Sequence, residues 1–190
     1  MGGTTLMTIA FRCRENILRA FEMVSGLRMN HAYVRPGGLA QDVPLGFTDF
    51  VRSVMPNIKN DVGELEALLM ENPILKSRFI GVGEISLAAA MAMGLTGPCA
   101  RAAGYPLDMR RIRPYCGYET YDFDIPVYHR SDCYNRLAVR FDECYQSLKI
   151  VSQCVDRLDE IAERGDDPSN TTMVADPTIA WPARMAIATD

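Results

Sequence analysis

The sequence predicts a mainly α-helical fold with a little β structure. Three observations lead to this prediction: an apolar stripe of helical period over residues 5–25, a long heptad pattern over residues 132–164, and a stretch between them, 94–130, that prolines and glycines interrupt. Hydrophobic residues make up 48% of the 190 residues and charged residues 23%. This composition is average for a globular protein and excludes disorder as the dominant state.

The first helix is predicted over residues 5–25. Its apolar side chains recur every three or four positions, at Leu6, Ala10, Cys13, Ile17, Phe21 and Val24. Gly26 follows, and glycine is the preferred residue just after a helix. The run Arg35-Pro36-Gly37-Gly38 cannot continue a helix, because proline lacks the amide N–H and tandem glycines favour turns. Residues 35–46 are therefore expected to form turns.

Three further helices are expected in the next part of the chain. The first runs over residues 48–55 and is stopped by Pro56, because proline removes a helical hydrogen bond. The second runs from residue 60 or 61 to residue 71 and stops at Asn72-Pro73. The third covers residues 86–93, where small alanine side chains suit close packing between helices.

Residues 94–130 are expected to be irregular, with one short strand over residues 121–127, where apolar and acidic side chains alternate. The long helix over residues 132–164 is the strongest local signal. Apolar residues repeat every seven positions in two interleaved sets, Tyr134, Phe141, Leu148, Val155 and Ala162 with Leu137, Cys144, Val151 and Leu158. Ser131 or Asp132 caps the helix, Gly165 ends it, and neighbouring segments or other chains must cover it.

Charge, hydropathy and motifs exclude several classes of protein. The net charge of −4 argues against a dedicated nucleic-acid binder. No apolar run approaches the ~20 residues that span a bilayer, and the first residues do not resemble a signal peptide, so a cytoplasmic chain is expected. The six cysteines contain no C-x-x-C pair, so we expect no metal bound by this chain and reduced, mostly buried thiols. Motifs of serine hydrolases, of P-loops and of dinucleotide-binding folds are absent from the sequence.

The segment around residues 28–38 is the first candidate site. It places Arg28, His31, Tyr33 and Arg35 beside a glycine-rich turn. Arginine and histidine stabilise negative charge on a reduced centre, and histidine can follow that charge with a proton, so a redox or ligand site is one hypothesis. The alternative is a helix end and a turn in which His31 and Tyr33 are core residues with satisfied polar groups.

A second cluster consists of arginines around Asp108, namely Arg101, Arg110, Arg111 and Arg113. It has the composition of an anion site or an interface anchor. Local ion pairs are the favoured interpretation, because Glu119, Asp122 and Asp124 lie close in sequence. On the long helix, Cys133 and Cys144 share a face but lie about 16 Å apart along the axis, so core packing is expected there rather than a disulfide or a metal.

Four segments, in this order, resemble the D subunit of bacterial NADH-quinone oxidoreductase. This respiratory complex I family is related to the large subunit of nickel–iron hydrogenases. The segments are GLRMNHAYVRPGG at 26–38 with QDVP at 41–44, TGPCARAAG at 96–104 with DMR at 108–110, YDFDIPV at 121–127 with RSDCYNR at 130–136, and IAWPA at 179–183. The resemblance implies a hydrogenase-large-subunit-like helical core, incomplete here. Residues 1–190 would be the central part of a single domain of this kind.

The resemblance also implies a function and partners. Such a subunit helps to form the quinone-reduction site next to the terminal iron–sulfur cluster, which a partner subunit holds, while the family member itself binds no metal. Electrons pass from NADH to quinone, coupled to proton translocation, in a complex whose peripheral part lies on the cytoplasmic side of the bacterial membrane. Other complex I subunits would be partners, and nucleic acid would not.

Carried onto this sequence, the resemblance places Arg28, Asn30, His31 and Arg35 at the edge that faces quinone and cluster, with the two arginines supplying positive potential. Many relatives have a histidine at position 30, so His31 is the titratable group here. Arg101, Asp108 and Arg110 are expected to serve structure or an interface. The family's main quinone-headgroup residues, a histidine on an N-terminal loop and a tyrosine, are expected before residue 1, and a C-terminal section after residue 190.

Because those groups are expected outside the chain, we predict that the isolated 190-residue chain does not reduce quinone. A second hypothesis is a non-catalytic, truncated interaction or assembly module, which would expose apolar stripes. A third is a piece of a hydrogenase-type large subunit, and the absence of C-x-x-C pairs argues against it.

Overall fold

A computed structural model describes residues 3–35 and 38–163 of the chain. The elements in order are α1 (Thr4–Ser25), β1 (Val34–Arg35), β2 (Gly38–Leu39), α2 (Phe47–Met70), α3 (Pro73–Phe79), α4 (Leu87–Ala92), α5 (Gly97–Ala102), α6 (Met109–Ile112), a 3₁₀ turn (Tyr118–Thr120) and α7 (Cys133–Glu163). β1 and β2 pair antiparallel, with Val34 opposite Leu39. The predicted mainly α fold is confirmed. The predicted Gly165 helix end and the segment at 179–183 lie outside the described residues.

The chain divides into two compact units. Within the described ranges, the first unit consists of residues 3–10 and 58–153, and the second of residues 11–35, 38–57 and 154–163. Buried apolar residues of the first unit come from several of its helices and from the extended segment at 121–127, namely Leu75, Ala90, Ala100, Ala102, Val139 and Phe123. Three of these residues are alanines, whose small side chains let the short helices approach their neighbours closely. Close packing of backbones therefore contributes to this core together with the larger side chains.

The prediction of two helices separated by Pro56 is wrong, because α2 runs without a break from Phe47 to Met70 with Pro56 inside it. An internal proline loses one backbone hydrogen bond and costs about 3 kcal/mol. Val51 and Val62, three helical turns apart, are both buried. Burial on the same helix face before and after Pro56 offsets that cost, and the sequence pattern around the proline did not reveal it.

Three helices within the described ranges were missed, namely α3, α5 and α6. The last two lie in the stretch 94–130 that was expected to be irregular, because Pro98 is tolerated in the first turn of α5 and Asp108 caps α6. Asn72-Pro73 ends α2 as expected, but it also begins α3. The Asn72 side chain accepts hydrogen bonds from the amides of Ile74 at 2.8 Å and Leu75 at 3.3 Å. Proline is favoured in the first turn of a helix, where its missing N–H needs no partner. The same dipeptide is therefore a stop signal and a start signal.

The short strand expected at 121–127 is also wrong, because the segment is extended but pairs with no strand within residues 3–35 and 38–163. Instead it lies along α7. The amides of Asp122 and Asp124 donate to the side chains of Gln153 at 2.8 Å and Gln146 at 3.0 Å. Phe123, between them, is buried. The alternating pattern of apolar and acidic residues correctly indicated an extended segment. Its backbone amides bond to glutamine side chains of α7, however, and not to a second strand.

α7 begins where the sequence predicts, with the Asp132 carboxylate accepting from the amide of Asn135 at 2.8 Å. Its burial does not follow the heptad pattern throughout. Val139, Phe141 and Ile150 are buried, whereas Cys144 and Val151 are exposed. α7 contacts α2, where Tyr145 donates to Glu66 at 2.7 Å, and also the extended segment at 121–127, so neighbours of different kinds set its burial. The expectation of mostly buried cysteines is wrong too: Cys144 and Cys116 are exposed and the other four are half-buried.

Candidate functional site

The first candidate site is the loop of residues 26–35, which follows α1 in the second unit and is called here the 26–35 loop. Gly26 has φ +75° and its amide donates to the Glu22 carbonyl at 2.8 Å, so the helix ends in a left-handed residue. Asn30 has φ +56°, a conformation that asparagine tolerates better than most residues. These two turns fold the loop back toward α1.

Arg28 is fixed against α1 by two carboxylates. Its guanidinium donates to Glu15 at close range and to Glu22 at 3.5 Å. Glu15 and Glu22 lie seven residues apart, which places them on one face of the helix. The hydrogen bond with Arg28 holds the pKa of Glu15 below its ordinary value and raises the pKa of Arg28. All three side chains are partly exposed.

His31 and Tyr33 are the residues of the loop whose polar atoms are buried without a partner. The His31 ring packs against Phe21, with ring centroids 4.9 Å apart. Within the described residues, His31 Nδ1 and the Tyr33 hydroxyl have no hydrogen-bond partner. Burial, together with the charge of Asp42, raises the pKa of Tyr33. The interpretation of both residues as core groups with satisfied polar atoms is therefore wrong in this structure.

The other two predicted residues of the loop differ from Arg28. Arg35 Nε donates to the Ala32 carbonyl at 2.8 Å, and no carboxylate within residues 3–35 and 38–163 forms an ion pair with it. Asn30 is exposed, whereas His31 is half-buried. The structure thus brings the four predicted residues onto one loop, but only Arg28 is neutralised by carboxylates.

The second predicted cluster lies in the first unit and is internally paired. Arg101 is largely buried and donates to Glu143 at 2.6 Å and to the Leu107 carbonyl at 2.7 Å. Asp108 accepts from Arg110 at 2.7 Å, and this hydrogen bond, against the opposing effect of burial, lowers the pKa of the Asp108 carboxyl. Arg110 therefore pairs with Asp108, and Arg101 pairs with Glu143, which lies farther along the chain than the acidic residues at 119–124.

Aromatic contacts extend this arginine cluster. Two guanidinium groups contact the face of the Phe123 ring, those of Arg110 at 4.7 Å and Arg111 at 4.1 Å from the ring centroid. Arg111 also donates to the Phe123 carbonyl at 2.6 Å. Beside the cluster is a cleft of about 340 Å³, lined by Thr96, Gly97, Arg101, Leu107, Asp108, Met109, Arg110 and Tyr115. Its charges are balanced by the pairs described, so it does not present a net positive surface.

Sequence reasoning missed the residues that hold these groups in place: Glu15, Phe21, Glu22, Glu143, Gln146 and Gln153. The seven-residue spacing of Glu15 and Glu22 was a usable signal, since it puts two carboxylates on one helix face. The Glu143 contact with Arg101 spans 42 residues, and no local pattern reveals it.

The described part of the chain has neither a metal-ligand cluster nor a membrane-spanning helix. Within residues 3–35 and 38–163, no three side chains of His, Cys, Asp or Glu are grouped as a metal site requires. None of the helices in those ranges has the length and apolar character needed to cross a bilayer.

The fold and the loop define a mainly α-helical protein whose polar loop carries two buried polar atoms without partners among the described residues. Comparison with known proteins identifies the family of the chain. The family described as "Respiratory-chain NADH dehydrogenase, 49 Kd subunit" matches residues 1–190, and the chain belongs to this family. The resemblance predicted from the four sequence segments is confirmed.

Several bacterial relatives are similar over the whole chain. A D subunit of NADH-quinone oxidoreductase from Streptomyces avermitilis is 49% identical over 190 residues, which are all of this chain and 41% of the relative. The D subunit from Nocardioides sp. is 46% identical, also over all of this chain and 41% of its own length. The D subunit from Nocardia farcinica is 45% identical, with 40% of its length covered. The chain thus spans about two fifths of the length of these relatives.

Proposed function

We propose that this chain forms part of a subunit of NADH-quinone oxidoreductase and that its 26–35 loop contributes the edge facing quinone and the terminal iron–sulfur cluster. A partner subunit holds the cluster, and other complex I subunits surround the chain. Electrons pass from NADH to quinone, coupled to proton translocation elsewhere in the complex. The chain lies peripherally on the cytoplasmic side of the membrane.

The observation that carries this proposal is the pair of buried polar atoms without partners, His31 Nδ1 and the Tyr33 hydroxyl. A buried donor or acceptor without a partner costs about 1–3 kcal/mol, so we expect water or a neighbouring molecule to complete these atoms. Both lie on a loop that also carries two arginines. A quinone oxygen can accept a hydrogen bond from either side chain, and the guanidinium groups stabilise the negative charge that reduction creates.

The side chains of the loop suit a neighbouring cluster better than a cluster bound by this chain. Guanidinium groups do not ligate iron, and the thiolates that hold such clusters are not grouped in the described ranges. When bound in the partner subunit, the cluster supplies single electrons. The residues of this chain then supply positive potential from Arg35 and a proton-binding group at His31, whose ring packs against Phe21.

The decisive experiment replaces His31 by Gln in the assembled complex. We expect slower NADH-driven quinone reduction and a weaker pH dependence of the cluster's midpoint potential, followed by electron paramagnetic resonance, because glutamine cannot titrate. His129→Gln is the matched control, since His129 is the other histidine and is exposed. An unchanged pH dependence in His31→Gln, equal to that of the control, would contradict the proposed place of the loop.

A second candidate role, an assembly module without a direct part in catalysis, is favoured by exposed apolar side chains. Leu45 is fully exposed, and Phe11, Leu27, Met29 and Val34 are all more than half exposed. Exposed apolar patches of this kind mark surfaces that other proteins cover. Gel filtration of the isolated chain tests this role: self-association is expected, and a sharp monomer peak with cooperative melting would argue against it.

A further inference from the structure

We propose that Glu15 is a positioning residue for the 26–35 loop. The Glu15 carboxylate clamps Arg28 to α1 and cancels the charge of the Arg28 guanidinium group. This leaves Arg35 as the arginine through which the loop offers net positive charge. The inference deepens the proposed function and rests on it where it concerns the redox partner. The clamp itself rests only on contacts within this chain.

The first step of the argument is the geometry of the clamp. Arg28 follows the left-handed Gly26, so its side chain folds back along the last three turns of α1. One nitrogen of its guanidinium meets Glu15 and the other lies 3.5 Å from Glu22. Two anchors on one rigid helix face fix both ends of the guanidinium. After the loop, the Gln41 side chain donates to the Val24 carbonyl of α1, a further contact between this part of the chain and the helix.

The second step is the balance of charge. Arg19 lies 3.5 Å from Glu15, so two arginines and two glutamates form one local network with no net charge. Arg35 donates only to a backbone carbonyl, and within the described ranges no carboxylate offsets it. The two arginines of the loop therefore have different electrostatic roles, although the sequence presents them as equivalent.

The third step concerns the histidine. Phe21, which packs on His31, lies on α1 one residue before Glu22. Arg28 is one of the contacts that hold the segment between Gly26 and His31 against α1; Arg14, which donates to the Met29 sulfur at 3.1 Å, is another. Releasing Arg28 removes the charged contact of this segment, so the contact that orients the imidazole loosens. Glu15 thus acts on His31 through the backbone and not by touching it.

The test uses Glu15→Gln in the assembled complex, with two measurements. Amide hydrogen exchange in residues 27–33 is expected to rise a few-fold, because the loss of a partly exposed ion pair is worth at most about a factor of five. The cluster's midpoint potential is expected to move in the positive direction, because the charge of Arg28 is no longer cancelled. Glu22→Gln, at the longer contact, is expected to give a smaller change of the same sign in both.

Controls separate the clamp from the proposed function. Glu71→Gln removes an exposed carboxylate of the first unit and is expected to change neither exchange in the loop nor the potential. Glu15→Asp, which keeps the charge, is expected to restore the potential even if exchange stays raised. Unchanged exchange in Glu15→Gln would overturn the clamp. Raised exchange with an unchanged potential in Glu15→Gln, Arg28→Gln and Arg35→Gln alike would keep the clamp and overturn the place of the loop beside the cluster.

Discussion

The segment around the start of α7 and the 26–35 loop are both rich in charged and polar groups. In the first, the buried polar side chains are hydrogen-bonded within the chain, whereas in the second two buried polar atoms have no partner among the described residues. Ser131 and Asp132 are almost fully buried, and their side chains bond to the backbone of Cys99, Gly81 and Asn135. In the 26–35 loop the ion pairs are half exposed and two buried polar atoms lack partners. The first region stabilises the fold, whereas the second has the features of a surface that meets another molecule.

The largest expected effect concerns Phe123, a buried ring in the unit that also contains the start of α7. Phe123→Ala is expected to lower the free energy of unfolding by about 4 kcal/mol, because a buried ring and its contacts with Arg110 and Arg111 are lost. Urea denaturation of the purified chain measures this. Phe11→Ala, at a ring that is 55% exposed, is the matched control and is expected to change stability by less than about 0.5 kcal/mol. Equal losses of unfolding free energy in the two variants would contradict the distinction between buried and exposed apolar side chains.

The second prediction concerns the carboxylate that begins α7. Asp132→Ala is expected to cost about 3 kcal/mol, since it removes the cap at Asn135 and leaves the Gly81 amide without its acceptor at 2.9 Å. Thermal unfolding checks the loss. Asp132→Asn keeps one acceptor oxygen and is expected to recover part of the stability. If the alanine and asparagine variants were equally stable, the hydrogen bonds would not be the cause.

The third prediction compares two tyrosine hydroxyls. Tyr145 donates to Glu66 at 2.7 Å, an interaction that, with burial, raises the pKa of Tyr145 to about 12. Tyr145→Phe is expected to lower stability by about 1.5 kcal/mol. Tyr33→Phe is expected to leave the isolated chain unchanged or to stabilise it by about 1 kcal/mol, because it removes a buried hydroxyl without a partner. Denaturation curves of both variants test the contrast, and a loss in Tyr33→Phe would show that its hydroxyl has a partner in solution.

The smallest expected effect is a dependence on pH. The pKa of Asp108 is below its ordinary value of 3.8 in the folded chain, mainly through the hydrogen bond with Arg110. Its contribution is therefore fully present above pH ~5 and is lost as the pH falls through the lowered folded pKa, since protonation then favours the unfolded chain. Stability measured between pH 7 and pH 3 is expected to fall less in Asp108→Asn than in the unchanged chain, by about 1 kcal/mol. If the stability of Asp108→Asn and of the unchanged chain fell equally with pH, the Asp108 carboxylate would make no such contribution.

Local chemistry made much of the fold predictable. The period of apolar residues in α1, the cap at Asp132 and the stops at Gly26 and Asn72 depend on residues close in sequence, and the structure follows them. Pro56 inside α2 was not predictable in this way, because burial on both sides of the proline outweighs a local penalty. Likewise, the glutamines that replace a partner strand at 122 and 124 lie 31 and 22 residues away.

For the candidate site, the sequence alone determined which residues are present and in which order, and four segments were sufficient to indicate the family. It presented Arg28 and Arg35 as equal, and it left His31 and Tyr33 open between a redox or ligand site and core groups with satisfied polar atoms. Only the tertiary structure decided that Arg28 is neutralised by Glu15 and Glu22, that Arg35 meets only a carbonyl, and that two buried polar atoms lack partners. The reason is physical: residue identity fixes what a group can bond to, but burial and distance between groups far apart in the chain decide what it does bond to.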